Sequence, residues 1–565
     1  MSAEESASET PAWASWFPIA ALGAWAFLRI ETWFTRDFTH DDFYFAYMSW
    51  LRAVRARPGV DVDAILYTPL VELFSPFFRL WPESFLPLDL GRAFILFVAL
   101  ALLGGVYVLS RRIGASIPWA LGAVSFTAWE GDFLLRISDI RTDPIATLFL
   151  MASLLLLLQD DGSQPVVAGL CFASAVFFSV KLSAAVPAMA LAVALTSTKA
   201  AVRGLLRFAA GGVVGTLFWL NIRALSDGWR PIVAGFKALS GSFAGFGGTS
   251  SAELIKRAMQ IAPVSAVLLL VGSLGAIGLP LMRWARRRPL AAPDVRRLVY
   301  ASSALLFVAV FLRADPYLFP YNFVILMPII SPLLAGLPDL LPSRLSPNLR
   351  VILLALAVVV PVSEGAGVFS ATVGRTNSVQ RRVVQWIWDA TNPAERVFDW
   401  QGMHWGRRGV YHWWMFSGWL PAYKSRTLCS VADELKANQV TLVIDNYRLS
   451  WLHASDHHFF QSHYERLDNC LFAPGSRFSL ENARDGADFD LVAPGDYRID
   501  PREGAASVLI DGAPAGTVQR LAAGRHRLTP APGGTPVPLR LLFTTPRRER
   551  LALPCPTPET LYWGF

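Results

Sequence analysis

Asp41 and Asp42 follow the first hydrophobic run of the chain, in Thr39-His40-Asp41-Asp42-Phe43-Tyr44. Carboxylates are costly to bury unpaired near lipid, so an acidic pair at the mouth of a helical bundle marks a site or a water-facing loop. Further charges recur at later turns between apolar runs. Asp132, Asp139, Arg141 and Asp143 crowd one stretch, Lys181 interrupts Ser179-Val180-Lys181-Leu182-Ser183, and Arg313 stands beside Asp315. A carboxylate and several cations converging on one cavity can take a proton from an acceptor hydroxyl and hold a departing phosphate. Each residue also has a plainer reading. Asp41 can cap the helix that begins near Phe43, Asp143 with Pro144 can open a helix, Lys181 can snorkel at a tight turn, and Arg92 can anchor a helix at the interface.

The elements that must position these groups are membrane helices. At 565 residues, 53% hydrophobic and only 17% charged, the chain is too apolar for an ordinary soluble protein. Spanning needs about 20 mostly apolar residues, and about eleven such runs can be read between Trp16 and Phe369. Arginines and lysines gather in alternate connections, as at Arg111 and Arg112, at Lys199, Arg203 and Arg207, and from Arg283 to Arg297. Cytoplasmic loops carry that excess. The amino terminus is then cytoplasmic, and Asp41, Asp42 and the long carboxy-terminal region lie outside. The net charge of +8 belongs to these clusters, and no basic stripe interleaved with aromatics points to nucleic acid. The acidic Met1 to Thr10 lacks the pattern of a cleaved signal, so the first helix is expected to stay as an anchor.

Within the first outer loop, Phe43 to Val54 has amphipathic spacing and is expected to lie along the membrane surface, with Tyr67 to Leu80 behaving similarly. Ser226 to Glu253 is rich in Gly and Ser and has the composition of a lid or a plain connector. Beyond residue 370 the hydrophobicity falls. Residues 371–470 read as a small α/β unit, with helices at Val379 to Asp389 and Ser430 to Ala437 and strands at Arg396 to Trp400 and Val440 to Asn446. Residues 471–565 read as short strands, among them Asp488 to Val492, Tyr497 to Asp500, Ala506 to Ile510, His526 to Leu528 and Leu539 to Thr544, which favours a β-sandwich-like module.

The order of parts over residues 1–370 resembles the GT-C superfamily of membrane glycosyltransferases. It resembles in particular the bacterial branch related to protein mannosyltransferases, aminoarabinose transferases and Rgt-type sugar transferases. The residues that carry the resemblance are Asp41-Asp42-Phe43-Tyr44-Phe45-Ala46, Tyr67-Thr68-Pro69-Leu70, Arg92, Arg141-Thr142-Asp143-Pro144, Lys181, and Tyr317-Leu318-Phe319-Pro320-Tyr321 ahead of Pro328. The family's usual pair is Asp-Glu, so Asp42 departs from it. The resemblance implies an inverting transfer of sugar from a polyprenyl-phosphate donor to a glycan, lipid or protein acceptor, in the bacterial cytoplasmic membrane and on its outer face. It makes Asp41 the expected base. His40, Asp42, Arg92, Asp139, Arg141, Asp143, Lys181, Arg313 and Tyr321 are the expected substrate-binding groups. No metal is expected to be obligatory, although two adjacent aspartates can hold a hard cation.

Two other classes stay in view. A transporter or flippase also carries charges at helix ends, but it favours midplane charges and paired broken helices, which are not evident here. A non-catalytic scaffold would bind through its external domain alone. No Walker, dinucleotide or His-Glu-x-x-His motif occurs. Of four cysteines, Cys429 and Cys470 are the expected disulfide, with Cys171 in an apolar run and Cys555 left over. His453, His457, His458 and His463 match no metal spacing. His404 and His412, among Trp400, Trp405, Trp413, Trp414 and Trp419, are expected at a sugar-stacking or headgroup-facing surface.

Overall fold

The computed structural model describes residues 10–57, 61–62, 69–159, 164–197, 200–227, 253, 256, 260, 262–287, 289–314, 320–340, 347–413, 420–555 and 561. Its amino-terminal part is helical: α1 (Trp16–Thr35), α2 (His40–Ala53), α3 (Pro69–Leu80), α4 (Leu86–Arg112), α5 (Ile117–Trp129), α6 (Gly131–Arg136), α7 (Asp143–Leu157), α8 (Pro165–Phe178), α9 (Val186–Thr196), α10 (Ala201–Asp227), α11 (Pro263–Ala285), α12 (Ala292–Ala314), α13 (Phe323–Ile330) and α14 (Pro347–Ser370). Prolines open α4, α5, α7, α8, α9 and α11, where the missing N–H would have had no partner.

Each expected apolar run overlaps a helix. Among the described residues five helices are long and apolar enough to cross a membrane: Leu86–Arg112, Ala201–Ile222, Pro263–Ala285, Ala292–Arg313 and Pro347–Ser370. Thr142–Leu157, Pro165–Phe178, Val180–Thr196 and Phe323–Gly336 are apolar but shorter. The expected count of about eleven crossings is therefore not reached on length and composition. The exposed faces fit a lipid environment, since α10 presents Val202, Leu206, Val213, Val214, Leu217 and Phe218 outward. On its other side α10 packs tightly on α8. A Cβ at Gly211 would stand 1.9 Å from the Val166 carbonyl oxygen, so only glycine permits that approach.

The helix expected over Phe43 to Val54 is present but lacks the exposed face of a surface helix over most of its length. In α2 every residue from Asp42 to Leu51 is buried. The aromatic side of the helix is covered by the carboxy-terminal region: Phe43 stacks with Trp405, Tyr44 stacks with Trp413, and the Tyr47 ring lies 4.2 Å from that of His404. Trp400, Trp405 and Trp413 are themselves 0% exposed. These tryptophans are therefore core between two parts of the chain, not a stacking or headgroup surface. Trp414 and Trp419, the segment Tyr67-Thr68, most of the Gly- and Ser-rich loop, Asp315 and Tyr317 to Phe319 lie outside the described residues.

After α15 (Ser378–Ala390) the α/β pattern appears as expected. β1 (Val397–Phe398) pairs in parallel with β2 (Leu442–Ile444), and α16 (Leu420–Lys424) and α17 (Val431–Ala437) intervene. After α18 (Ala454–His463) come β3 (Tyr464–Arg466), β4 (Leu471–Phe478), β5 (Ala487–Leu491), β6 (Gly495–Asp500), β7 (Val508–Ile510), β8 (Ala513–Pro514), β9 (Val518–Leu521), β10 (Gly524–Pro530) and β11 (Leu539–Thr544). They make a seven-stranded sheet in the order β1-β2-β4-β11-β6-β9, with β3 also on β4, and a four-stranded sheet β5-β10-β7-β8. β4 joins the two halves of the larger sheet, so residues on both sides of position 470 share it.

Cys470 is bonded to Cys555, and Cys429 is free. The expected Cys429 to Cys470 bond is thus corrected. The segment that follows β11 returns alongside the start of β4, where the Cys555 N–H donates to Asp468 Oδ2 at 2.9 Å and the Asn469 N–H donates to the Cys555 carbonyl at 3.3 Å.

Candidate active site

The local chain around Asp41 is set by a capping box. Thr39 is the N-cap of α2; its hydroxyl accepts from the Asp42 N–H, while Asp42 Oδ2 accepts from the Thr39 N–H at 2.8 Å. This reciprocal pair consumes one oxygen of Asp42. The same Oδ2 also accepts from Arg92 Nη2 at 3.1 Å, and Oδ1 takes the Ile140 N–H at 2.6 Å. Arg92 also donates to the carbonyls of Arg36 and Asp37, each at 2.8 Å, and lies over the Phe38 ring at 4.3 Å. Both side chains are 0% exposed. They knot the end of α1, the start of α2, α4 and the loop before α7.

Asp41, one residue earlier on the helix, turns the other way. Arg141 Nη1 lies 2.5 Å from Asp41 Oδ2, and His40 Nε2 lies 3.5 Å from Oδ1. The Arg141 contact is an ion pair without an aligned hydrogen bond, since Oδ2 receives none. Arg141 also reaches Asp143 through Nε at 3.4 Å and sits 3.5 Å over the Tyr321 ring. Lys181 completes the group: its Nζ is 3.8 Å from Asp143 Oδ2, 3.2 Å from Asn322 Oδ1 and 4.2 Å over the same Tyr321 ring. Asp143 is further fixed by the Ser179 hydroxyl at 2.9 Å.

Burial alone would raise the Asp41 carboxyl, but the charges of Arg141, Lys181 and Arg448 outweigh it and hold the group below its ordinary value. Burial pushes His40 down to about 3, so the imidazole beside Asp41 is neutral at physiological pH. The cluster is consequently two carboxylates, Asp41 and Asp143, set among the cations Arg141, Lys181 and Arg448.

The expected site residues thus divide by position. Asp41, His40, Arg141, Asp143, Lys181 and Tyr321 are brought together from α2, the loop before α7, α7 itself, and the 3-10 turns Val180–Ala185 and Pro320–Asn322. Asp139 pairs with Arg136 at 3.8 Å rather than with Arg141, and burial raises its carboxyl. Arg313 is exposed at the end of α12, and among the described residues it is not one of the groups that meet Asp41.

Arg448 is the member that sequence reading missed. It lies in the 3-10 turn Tyr447–Trp451 after β2, and its charge acts on both Asp41 and His40. The carboxy-terminal region holds it firmly: Nη1 donates to the Trp400 carbonyl at 2.9 Å, and the guanidinium lies 5.2 Å over Trp451. Its backbone N–H donates to Asn446 Oδ1 at 2.9 Å, and Asn446 Nδ2 in turn donates to Asp399 Oδ1 at 2.7 Å. Nothing local in the Tyr447-Arg448 sequence signals this role, which depends on the carboxy-terminal region roofing α2.

Fold and site together define a multi-pass helical membrane protein whose carboxy-terminal sheet region closes over a carboxylate ringed by cations. No protein-family profile matches the chain, and no curated protein does. Among solved structures it is similar to the oligosaccharyltransferase of Archaeoglobus fulgidus. The apo crystal structure aligns over 80% of this chain and 72% of that one, at 15% identity and a TM-score of 0.45. The crystal structure of the same enzyme in complex with Zn and sulfate aligns over 79% and 71%, also at 15% identity and a TM-score of 0.45. The chemistry proposed below rests on this chain's own residues.

Proposed function

We propose that the protein is an inverting glycosyltransferase of the GT-C type that moves a sugar from a polyprenyl-phosphate-linked donor to a glycan, lipid or protein acceptor of the cell envelope. The reaction takes place on the outer face of the bacterial cytoplasmic membrane, with the amino terminus in the cytoplasm and the sheet region outside. The observation that carries this reading is the Asp41 carboxylate facing Arg141, with Lys181 and Arg448 around it.

In the reaction the acceptor oxygen attacks the anomeric carbon as the bond from that carbon to the phosphate oxygen breaks. Asp41 receives the acceptor proton, and the electron pair leaves with the phosphate. Arg141, Lys181 and Arg448 hold that departing negative charge. The donor phosphate has a second effect. By drawing Arg141 toward itself it loosens the contact that keeps Asp41 weakly basic, so the base is released only when the donor is bound. Tyr321 holds Arg141 and Lys181 against its ring and thereby orients both cations.

No divalent cation is obligatory on this reading, because fixed cations already face the position of the leaving group. Adding Mg2+ or Mn2+ to metal-depleted membranes leaves the rate unchanged; a rise of an order of magnitude would contradict this part of the proposal. The substrate assignment is tested by mass analysis of envelope glycans with and without the protein. A sugar missing from one acceptor class names donor and acceptor together, while an unchanged envelope profile, with no transfer by membranes given lipid-linked sugars, sinks it.

A further inference from the structure

Three side chains of different ligand chemistry meet outside the Asp41 cluster. His412 lies in the segment after β1, Cys429 in the loop after α16, and Glu434 in α17. One donor atom from each lies within 4.8 Å of the other two. His412 Nδ1 contacts Glu434 Oε1, the imidazole is also hydrogen-bonded to Cys429, and the His412 backbone N–H donates to Glu434 Oε2 at 3.1 Å. The side chains of His412 and Glu434 are 17% and 16% exposed, so an ion has a path in from solvent.

A thiolate, an imidazole and a carboxylate form a donor set suited to Zn2+. Calcium and magnesium ask for six or more oxygen ligands instead. Zinc–ligand bonds of about 2.0–2.3 Å in a tetrahedron place neighbouring donor atoms roughly 3.3–3.7 Å apart, so the direct His412–Glu434 contact opens slightly to admit the ion, with a Cys429 sulfur that already lies within 4.8 Å of both. A second observation points the same way. Cys470 and Cys555 of the same region are oxidised to a disulfide, yet Cys429 is an unpaired, partly exposed thiol. In an oxidising compartment such a thiol is a liability unless something holds it.

We propose that His412, Cys429 and Glu434 form a zinc site, with water in the fourth position. The site ties the segment after β1 to α17. His412 directly precedes Trp413, whose ring stacks on Tyr44 and lies 4.4 Å from the Tyr47 ring, both on the helix that carries Asp41. Zinc here pins the roof of that helix and takes no part in the transfer chemistry.

The test uses the purified full-length protein in detergent with Co2+ as a spectroscopic substitute for Zn2+. The expected result is one tightly bound cobalt per chain, with cobalt–thiolate charge-transfer absorption and tetrahedral visible bands. Cys429→Ser removes the charge-transfer band, His412→Ala weakens binding at least about tenfold, in line with loss of a directly bonded ligand, and Cys171→Ser leaves the spectrum as it is. Because a variant can fail to fold, the wild-type protein is also alkylated with and without Zn2+ and read by peptide mass spectrometry. Protection of Cys429 by zinc supports the site. Absence of a thiolate band in the wild-type protein, a band that survives in Cys429→Ser, or alkylation of Cys429 indifferent to zinc overturns it.

Discussion

Arg141 and Asp41 form the ion pair on which the site turns: Nη1 stands 2.5 Å from Oδ2. The aspartate comes from the first turn of α2 and the arginine from the loop that opens α7, so the contact exists only because the Arg92–Asp42 knot brings those two segments to one corner. One member of the acidic pair is structural and the other faces the cations. A donor phosphate and Asp41 compete for the same guanidinium, which couples donor binding to the basicity of the proposed base.

That coupling sets a pH dependence. In the wild-type protein Asp41 is held below the ordinary aspartate value of about 3.9. Its ion pair therefore contributes stability above the unfolded value and loses it as pH falls through the lower folded value. In Arg141→Gln the largest opposing charge is gone and burial raises the carboxyl. The acid limb of the transfer rate should move to higher pH, read from kcat/KM profiles at donor concentrations well below saturation, where Arg141 still faces Asp41; an unmoved limb separates Arg141 from Asp41.

Asp42 and Arg92 behave differently. Asp42→Ala leaves a buried guanidinium uncompensated, and breaking such a pair costs about 3–5 kcal/mol. The expected outcome for Asp42→Ala and for Arg92→Ala is a large fall in thermal midpoint and in the yield of monodisperse protein. Thermal unfolding in detergent measures it, and a midpoint within error of the wild type would return Asp42 to the list of substrate-contacting groups.

Arg448 links the carboxy-terminal region to the site. Arg448→Ala is expected to raise the donor KM and lower kcat, with partial rescue by Arg448→Lys, which keeps the charge but not the stacking on Trp451. Steady-state kinetics with a lipid-linked sugar separate this from a folding defect, because a purely structural role would lower the amount of active enzyme and leave KM unchanged.

Much of this arrangement could be read from the residues. Asp41, Arg141, Asp143, Lys181 and Tyr321 all sit at turns between apolar runs, where charge is expensive enough to be informative. The carboxy-terminal helices and strands were legible from their periodicity, with β11 spanning Leu539–Thr544 as its alternation implied. What failed to show were relationships across long separations. The pattern of α2 fixed an apolar stripe but not what would cover its aromatic side, so it read as a surface helix when it is buried. Cys470 pairs with Cys555 because the end of the chain returns beside β4, which no spacing reveals. Asp42 and Asp41 are adjacent, and only the capping box, through helix geometry, decides which one faces inward.

The central claim is that Asp41 takes the acceptor proton, and single-turnover transfer from a lipid-linked sugar by Asp41→Asn membranes tests it most directly. Loss of a positioned general base costs about 10²–10⁴-fold in rate. The account predicts a fall of that size with donor binding retained and the protein still folded. A variant that transfers sugar at the wild-type rate contradicts it.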